Sequence, residues 1–454
     1  MDKTKLTFYR GTAGMGVVIS VSYGIDRIIF DFGAPFDPKN EVYDKTVRRR
    51  VKRAAFDSLV LGKIPPVPGV FSRDVLNGRD LKSSEDSDLN TAIFICHLHL
   101  DHMSEIDKVD PRIPVYIHED GLQLLECLQK AKREPVRRDF SGFRYHETIR
   151  IGKISLTPYY SDHPCPGSSS FLIETPDQNI LYSGDIRFHG CHSERAFEEL
   201  SALSEKKIDL LIVDATTTSP AEFSFDEKLK EAYEAPSRKL LDGSVCEADI
   251  YRDIADILKD DQKTAVFNQY ERDVEMMVRM CETAKKLKRT IVFEPMFACI
   301  LYRMKGMRTA VLEDADDESF EEIASLPRVS LSEIQKKKEG YLLQNSFENI
   351  LDLSRLAPGH YFHLFGEPLT DSDPDYQLMR RLLDETGWSF HSYANLYSFS
   401  HTYPNQLAYY IQEINAKGVV AVHSRHPEKL NPVSSRQYFP EQGREYILEN
   451  GELL

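Results

Sequence analysis

The run Thr91-Ala-Ile-Phe-Ile-Cys96 leads directly into His97-Leu98-His99-Leu100-Asp101-His102, and no other stretch constrains the chain as tightly. A short apolar run rich in β-branched and aromatic residues reads as a buried strand. Four side chains able to bind metal then fall within six residues. A strand ending this way delivers several ligands to one point at a sheet edge, where clefts in α/β folds lie. The chain must therefore fold so that further ligands converge on that point.

At 454 residues the chain is long for one core and predicts two or three domains. Its 41% hydrophobic and 28% charged content are those of a globular protein. No run approaches the roughly 18 to 20 apolar residues of a membrane span, and Met1-Asp-Lys-Thr-Lys5 opens no signal segment, so the expected location is the cytoplasm. The seven cysteines show no CxxC pair and read as scattered reduced thiols. A net charge of −15 argues against a general polyanion-binding surface. Bound divalent metals and a local basic groove can still hold phosphates on an acidic protein.

Strands are expected at the start of the chain, ending in Arg27-Ile-Ile-Phe-Asp31, and strands alternate with short helices over 91–215. From 216 to about 390 the helical share rises between further strand-like runs, which suggests a second α/β unit. A strand over Phe390–Tyr397, a helix over Asn405–Ala416 and the strand Gly418-Val-Val-Ala-Val422 close the chain.

Several strand-like runs end at or near a His or Asp: Asp31, the opening cluster, His163, Asp185 after Ser183-Gly184, Asp214, His401 and His423. A lone strand-end Asp is more often a turn cap, and a lone His a packed or solvated residue. The cluster at 97–102 has little reason to exist without a metal, and it lifts the later positions with it.

On these residues the chain resembles the metallo-β-lactamase fold, and more narrowly its β-CASP branch of nucleic-acid hydrolases, of the RNase J and cleavage-factor type. His97, His99, Asp101 and His102 match the HxHxDH motif; Asp31, His163 and Ser183-Gly184-Asp185 match the motifs around it. Asp214, Ser398-Phe-Ser-His401-Thr402 and Ala421-Val422-His423 are similar to the three motifs of the branch. The resemblance implies an α/β architecture: a metallo-β-lactamase αββα sandwich from 1–215 and 391–454, with an inserted α/β β-CASP domain over 216–390.

The resemblance also implies roles. His97, His99 and His163 would hold one divalent metal; Asp101, His102 and His423 a second, with Asp185 bridging. The metals expected are two zinc ions, with manganese as the alternative. Asp31 would orient motif histidines. A hydroxide bridging the metals would attack phosphorus, and His401, aligned by Asp214, would protonate the leaving oxygen. Ser400, Thr402, Asn268 and Arg272 are expected at the substrate, Arg272 on a phosphate or else in a surface salt bridge. RNase J enzymes usually carry Ser-Gly-His-Ala-Ser where this chain has Phe399-Ser-His401-Thr-Tyr403, so a 5′-phosphate pocket is not implied. The chain stops soon after His423, without the C-terminal dimerisation domain of longer relatives; an oligomer stays open. The expected activity is a metal-dependent ribonuclease acting on RNA, with no membrane partner. The alternatives are a DNA nuclease of the same family, a small-molecule ester or lactone hydrolase of the same fold, and a non-catalytic interaction protein.

Overall fold

The structure is a computed structural model that describes residues 2–35, 47–48, 50–131, 133–134, 136, 138–218, 236–240, 244–313, 320–393 and 400–454. Three sheets organise it. The first has eight strands in the order Glu452–Leu453, Glu445–Glu449, Thr4–Arg10, Val18–Tyr23, Asp26–Phe30, Asn90–Phe94, Val115–His118, Ser141–Phe143. The second has seven: Arg436–Tyr438, Gly418–Val422, Leu210–Asp214, Asn179–Tyr182, Ser169–Glu174, Ile154–Tyr160, Ile149–Ile151. The C-terminal segment thus adds strands to both sheets.

The two sheets close on one apolar core, because alternate residues of each strand point inward. Phe30 sits at its centre, 5.0 Å from the Tyr182 ring and 5.2 Å from Phe171. Both neighbours belong to the second sheet, so this cluster joins the layers. Phe30→Ala is expected to cost about 3–5 kcal/mol of stability. A urea curve should show a lower midpoint at unchanged slope.

Helices cover the outer faces. Ser193–Ser204 and Pro404–Ile414 pack apolar stripes on the second sheet, through Leu200, Leu203, Leu407 and Ile411. The latter starts on a proline, whose missing N–H costs nothing at a first turn, and ends on Asn415 at φ 49°. Glu119–Lys130 turns Leu124, Leu125 and Leu128 onto the first sheet's outer core.

The third sheet is parallel throughout its named strands: Arg328–Val329, Ala310–Leu312, Thr290–Phe293, Tyr341–Gln344, Ala265–Gln269, His360–Leu364, Ser389–Ser392. It lies between the last strands of the sandwich in sequence and forms the inserted α/β unit. Its final strand runs to Ser392, so the unit passes the boundary expected at 390. Of the strand expected over 390–397 the described part ends at Ser392, and residues 394–397 lie outside the described residues.

Strand direction sets the site. The strands ending near residues 30, 94, 160, 182, 214 and 422 all leave their C-terminal ends at one edge of the sandwich. That edge faces the inserted unit.

Candidate metal centre

Each ligand loop begins where a buried strand stops. Asp31 and His423 both take left-handed backbone, at φ 60° and 59°, which for non-glycine residues is strained and clusters at functional sites. Gly184 takes φ 55°, and a Cβ there would meet the Ser169 carbonyl oxygen at 2.5 Å. The Ser-Gly-Asp turn therefore requires glycine to bring Asp185 inward.

Ligating atoms of His97, His99 and His163 lie within 4.8 Å of one another, with His99 Nδ1 3.1 Å from His163 Nε2. Those of Asp101, His102 and His423 form a second such group. There His423 Nε2 stands 2.7 Å from Asp101 Oδ2, and His102 Nε2 stands 3.5 Å from the same oxygen. Asp185 Oδ2 lies between the groups, 3.5 Å from His97 Nε2, 3.9 Å from His163 Nε2 and 3.3 Å from His102 Nε2.

Every histidine of the two groups is held from behind through its other ring nitrogen. His97 Nδ1 meets Cys96 Sγ at 3.1 Å, and His102 Nδ1 meets Asp31 Oδ2 at 3.1 Å. His163 Nδ1 lies 2.8 Å from the Ser400 carbonyl oxygen. His423 Nδ1 lies 2.7 Å from Thr216 Oγ1, and His99 Nε2 lies 3.3 Å from Asp273 Oδ1. Asp31 is held in turn by the Cys96 backbone N–H at 2.8 Å and the Tyr182 hydroxyl at 2.7 Å. Such outer partners fix tautomer and ring orientation at metal sites.

The residues fit two divalent cations. The Nε2 atoms of His97 and His102 are buried, turned into the cluster and without a hydrogen-bond partner, which is costly unless something binds them. Burial, and then neighbouring histidines, push His97 and His163 well below the usual imidazole range, so both are neutral donors. Burial opposes charge on Asp185, but His102, His423 and His97 overcome it and hold the carboxyl well below its ordinary value. Against burial, Asp185 and Asp101 raise His423 to about 9.

His401 stands beside the centre. Its Nδ1 is 2.8 Å from Asp214 Oδ2 and 4.0 Å from Asp185 Oδ2. Burial opposes its protonation, but Asp214 outweighs burial and its pKa is raised. Asp214 also accepts from the Thr216 backbone N–H at 2.9 Å.

A sequence model of the beta-lactamase superfamily domain matches residues 64–241. Over that stretch the chain carries a domain of the metallo-β-lactamase type, and its fold is a metallo-β-lactamase sandwich. Ribonuclease J of Pyrococcus abyssi is 25% identical over 159 residues, 33% of this chain and 34% of that protein. The 5′ exonuclease Apollo of Gallus gallus is 30% identical over 128 residues, 28% of this chain and 26% of that protein. Ribonuclease J of Mycoplasma pneumoniae is 21% identical over 304 residues, 60% and 48% respectively. The chain thus spans between about a quarter and a half of the length of these curated relatives. The solved structure of a protein of unknown function from Enterococcus faecalis V583 superposes with a TM-score of 0.81 at 27% identity, covering 98% of this chain and 100% of that one. The sandwich with its inserted unit is therefore shared across nearly the whole length.

Two residues expected at the substrate, Arg272 and Asn268, are buried and engaged within the protein. Arg272 is 1% exposed and pairs with Glu134 at 3.0 Å, so its guanidinium meets neither a phosphate nor the surface. Asn268 is equally buried on a strand enclosed on both faces, and its Nδ2 donates to the Glu367 carbonyl oxygen at 3.0 Å. Ser400 contributes its carbonyl to His163, and Thr402 is buried beside it. The motif residues Ser398 and Phe399 lie outside the described residues. Cys96, Thr216 and Asp273 were not singled out as site residues, and nothing in the local sequence of Thr216 or Asp273 marks them. Only Cys96, adjacent to the cluster, carried a usable signal. Among the described residues no helix is long and apolar enough to cross a membrane.

Proposed function

We propose that this protein is a metal-dependent nuclease that hydrolyses RNA phosphodiester bonds, with the unit from 216 to beyond 390 acting as a β-CASP domain. The observation that carries the reading is the His401–Asp214 pair set against two groups of ligands that share Asp185. An alkoxide leaving group must be protonated, whereas simple esters with good leaving groups need no such acid. Similarity to proteins named ribonuclease J and 5′ exonuclease Apollo supports a nucleic-acid substrate. Zinc suits the mixed imidazole and carboxylate set, with manganese as the alternative.

His97, His99 and His163 would hold one ion, Asp101, His102 and His423 the other, and Asp185 would serve both. Bound there, the ions would supply an activated water and neutralise charge developing on the phosphate. The chain's own residues do the rest. Asp31, Cys96, Thr216 and the Ser400 carbonyl lock the imidazole rings. Asp214 accepts from His401 Nδ1, which leaves Nε2 to present its proton to the leaving oxygen. The inserted unit packs over this edge and limits access of bulk water.

The reading is tested with end-labelled RNA, single- and double-stranded DNA, and a panel of aryl esters and lactones. Metal-dependent cutting of RNA in preference to DNA is expected. Hydrolysis of esters or lactones with no cutting of nucleic acid would sink it; preferential cutting of DNA would move it to the DNA branch. His401→Ala should lower kcat about 10²–10⁴-fold with little change in KM, the range for loss of a general acid. Steady-state kinetics on a fluorogenic oligonucleotide checks this, and an unchanged kcat removes His401 from the reaction.

A further inference from the structure

We propose that the inserted unit completes the metal centre, with Asp273 fixing the ring of His99 and Arg272 fixing the loop that carries it. Asp273 is a positioning residue, and the proposal rests on the two-metal reading of the site, not on the identity of the substrate.

Two consecutive residues of the insert grip two consecutive residues of the ligand loop. Arg272 Nη1 donates to the Leu98 carbonyl at 2.8 Å, and Asp273 Oδ1 faces His99 Nε2 at 3.3 Å. Arg272 is anchored by Glu134 at 3.0 Å, with both side chains 1% exposed. The Tyr270 ring closes on His99 with centroids 5.5 Å apart. No surface rearrangement is needed for these contacts; they are part of the packed interior between the sandwich and the insert.

Asp273 holds the N-cap position of helix Val274–Lys286, where an aspartate ordinarily accepts from a backbone N–H two or three residues on. Here its side chain makes no such cap bond. The carboxylate is 3% exposed, and its Oδ1 faces His99 Nε2. A helix that forgoes its best cap for a ligand histidine gains an oriented imidazole: an acceptor on Nε2 keeps the proton there and leaves Nδ1 free as donor to a cation.

The other four histidines are held by Cys96, Asp31, Ser400 and Thr216, which lie on or next to the sandwich strands and their loops. His99 alone among the five is held by a residue deep within the inserted unit. The position that includes His99 therefore depends most on the insert being seated.

The test titrates metal-free full-length protein with zinc against a chromophoric chelator, and with cobalt followed by its visible absorption. Wild type should bind two equivalents. Asp273→Asn should bind one of them about 10–100-fold more weakly, the usual effect of losing such an outer carboxylate. The second equivalent should be unchanged, and the cobalt spectrum should alter for one ion only. Asp273→Glu should recover much of the lost affinity, and Arg272→Gln should weaken the same equivalent. Circular dichroism confirms the fold of each variant. Asp273→Asn protein that binds both ions like wild type, or loses both alike, overturns the proposal. Wild type that binds fewer than two ions overturns the two-metal reading itself and the coupling with it.

Discussion

Replacing Arg187 with leucine is expected to destabilise the protein by about 3–5 kcal/mol, because it strands a buried carboxylate. The Arg187 guanidinium reaches Glu247 at 2.8 Å, and both side chains are 1% exposed. Burial opposes the charge on Arg187, but Glu247 and Asp162 outweigh burial and hold it protonated. Its Nε also donates to the Asp162 carbonyl at 2.7 Å, one residue before His163. Glu247 accepts further from the Tyr251 hydroxyl at 2.7 Å and from the Cys191 backbone N–H at 3.2 Å. Without Arg187 these neutral donors cannot balance the Glu247 charge. Pairing the change with Glu247→Leu should recover part of the loss, since removing both charges also removes their desolvation cost. Urea unfolding of the single and double variants reads the effect directly. Equal stability of Arg187→Leu and wild type would show that the pair contributes nothing.

Asp185→Asn is expected to lower kcat at least about 10³-fold, which corresponds to several kcal/mol of lost transition-state stabilisation. Asp185 Oδ2 approaches both groups of ligands, standing within 3.5 Å of His97 and 3.3 Å of His102. Asparagine keeps the shape and removes the charge that the surrounding imidazoles and cations require. The variant should fold, because asparagine nearly matches aspartate in volume, yet bind metal weakly. Parallel measurement of kcat and of bound metal by elemental analysis separates this from unfolding. Full activity with two bound ions would remove Asp185 from its assigned place.

Most of the centre was legible because each ligand closes a strand whose residues are apolar and few. Asp31, Asp185, Asp214 and His423 follow such runs, and parallel strands deliver their ends to one edge. The sandwich and the inserted α/β unit were legible for the same reason. What escaped reading depends on packing between distant segments. Asp273 reaches His99 only because the insert folds back over the sandwich, and no local spacing encodes that. Arg272 and Asn268 were expected at the substrate because the resemblance implied it. The strand Ala265–Gln269 is buried along its whole length, and Asn268 Nδ2 donates to the Glu367 carbonyl. Cys96 read as one of the scattered reduced thiols, yet its sulfur touches Asp31, His97 and His102. A boundary inside Ser389–Ser392 was unmarked because the strand carries no Gly or Pro.

The central claim is that two cations held by these histidines and aspartates drive cleavage of an RNA phosphodiester. It is tested most directly by stripping the wild-type protein with chelator and following cleavage of 5′-labelled RNA as zinc or manganese is added back. Activity should be absent in the stripped protein, rise with added metal and saturate near two bound equivalents, with Asp185→Asn inactive throughout. RNA cleavage that persists without metal, or that Asp185→Asn protein performs at the wild-type rate, would contradict it.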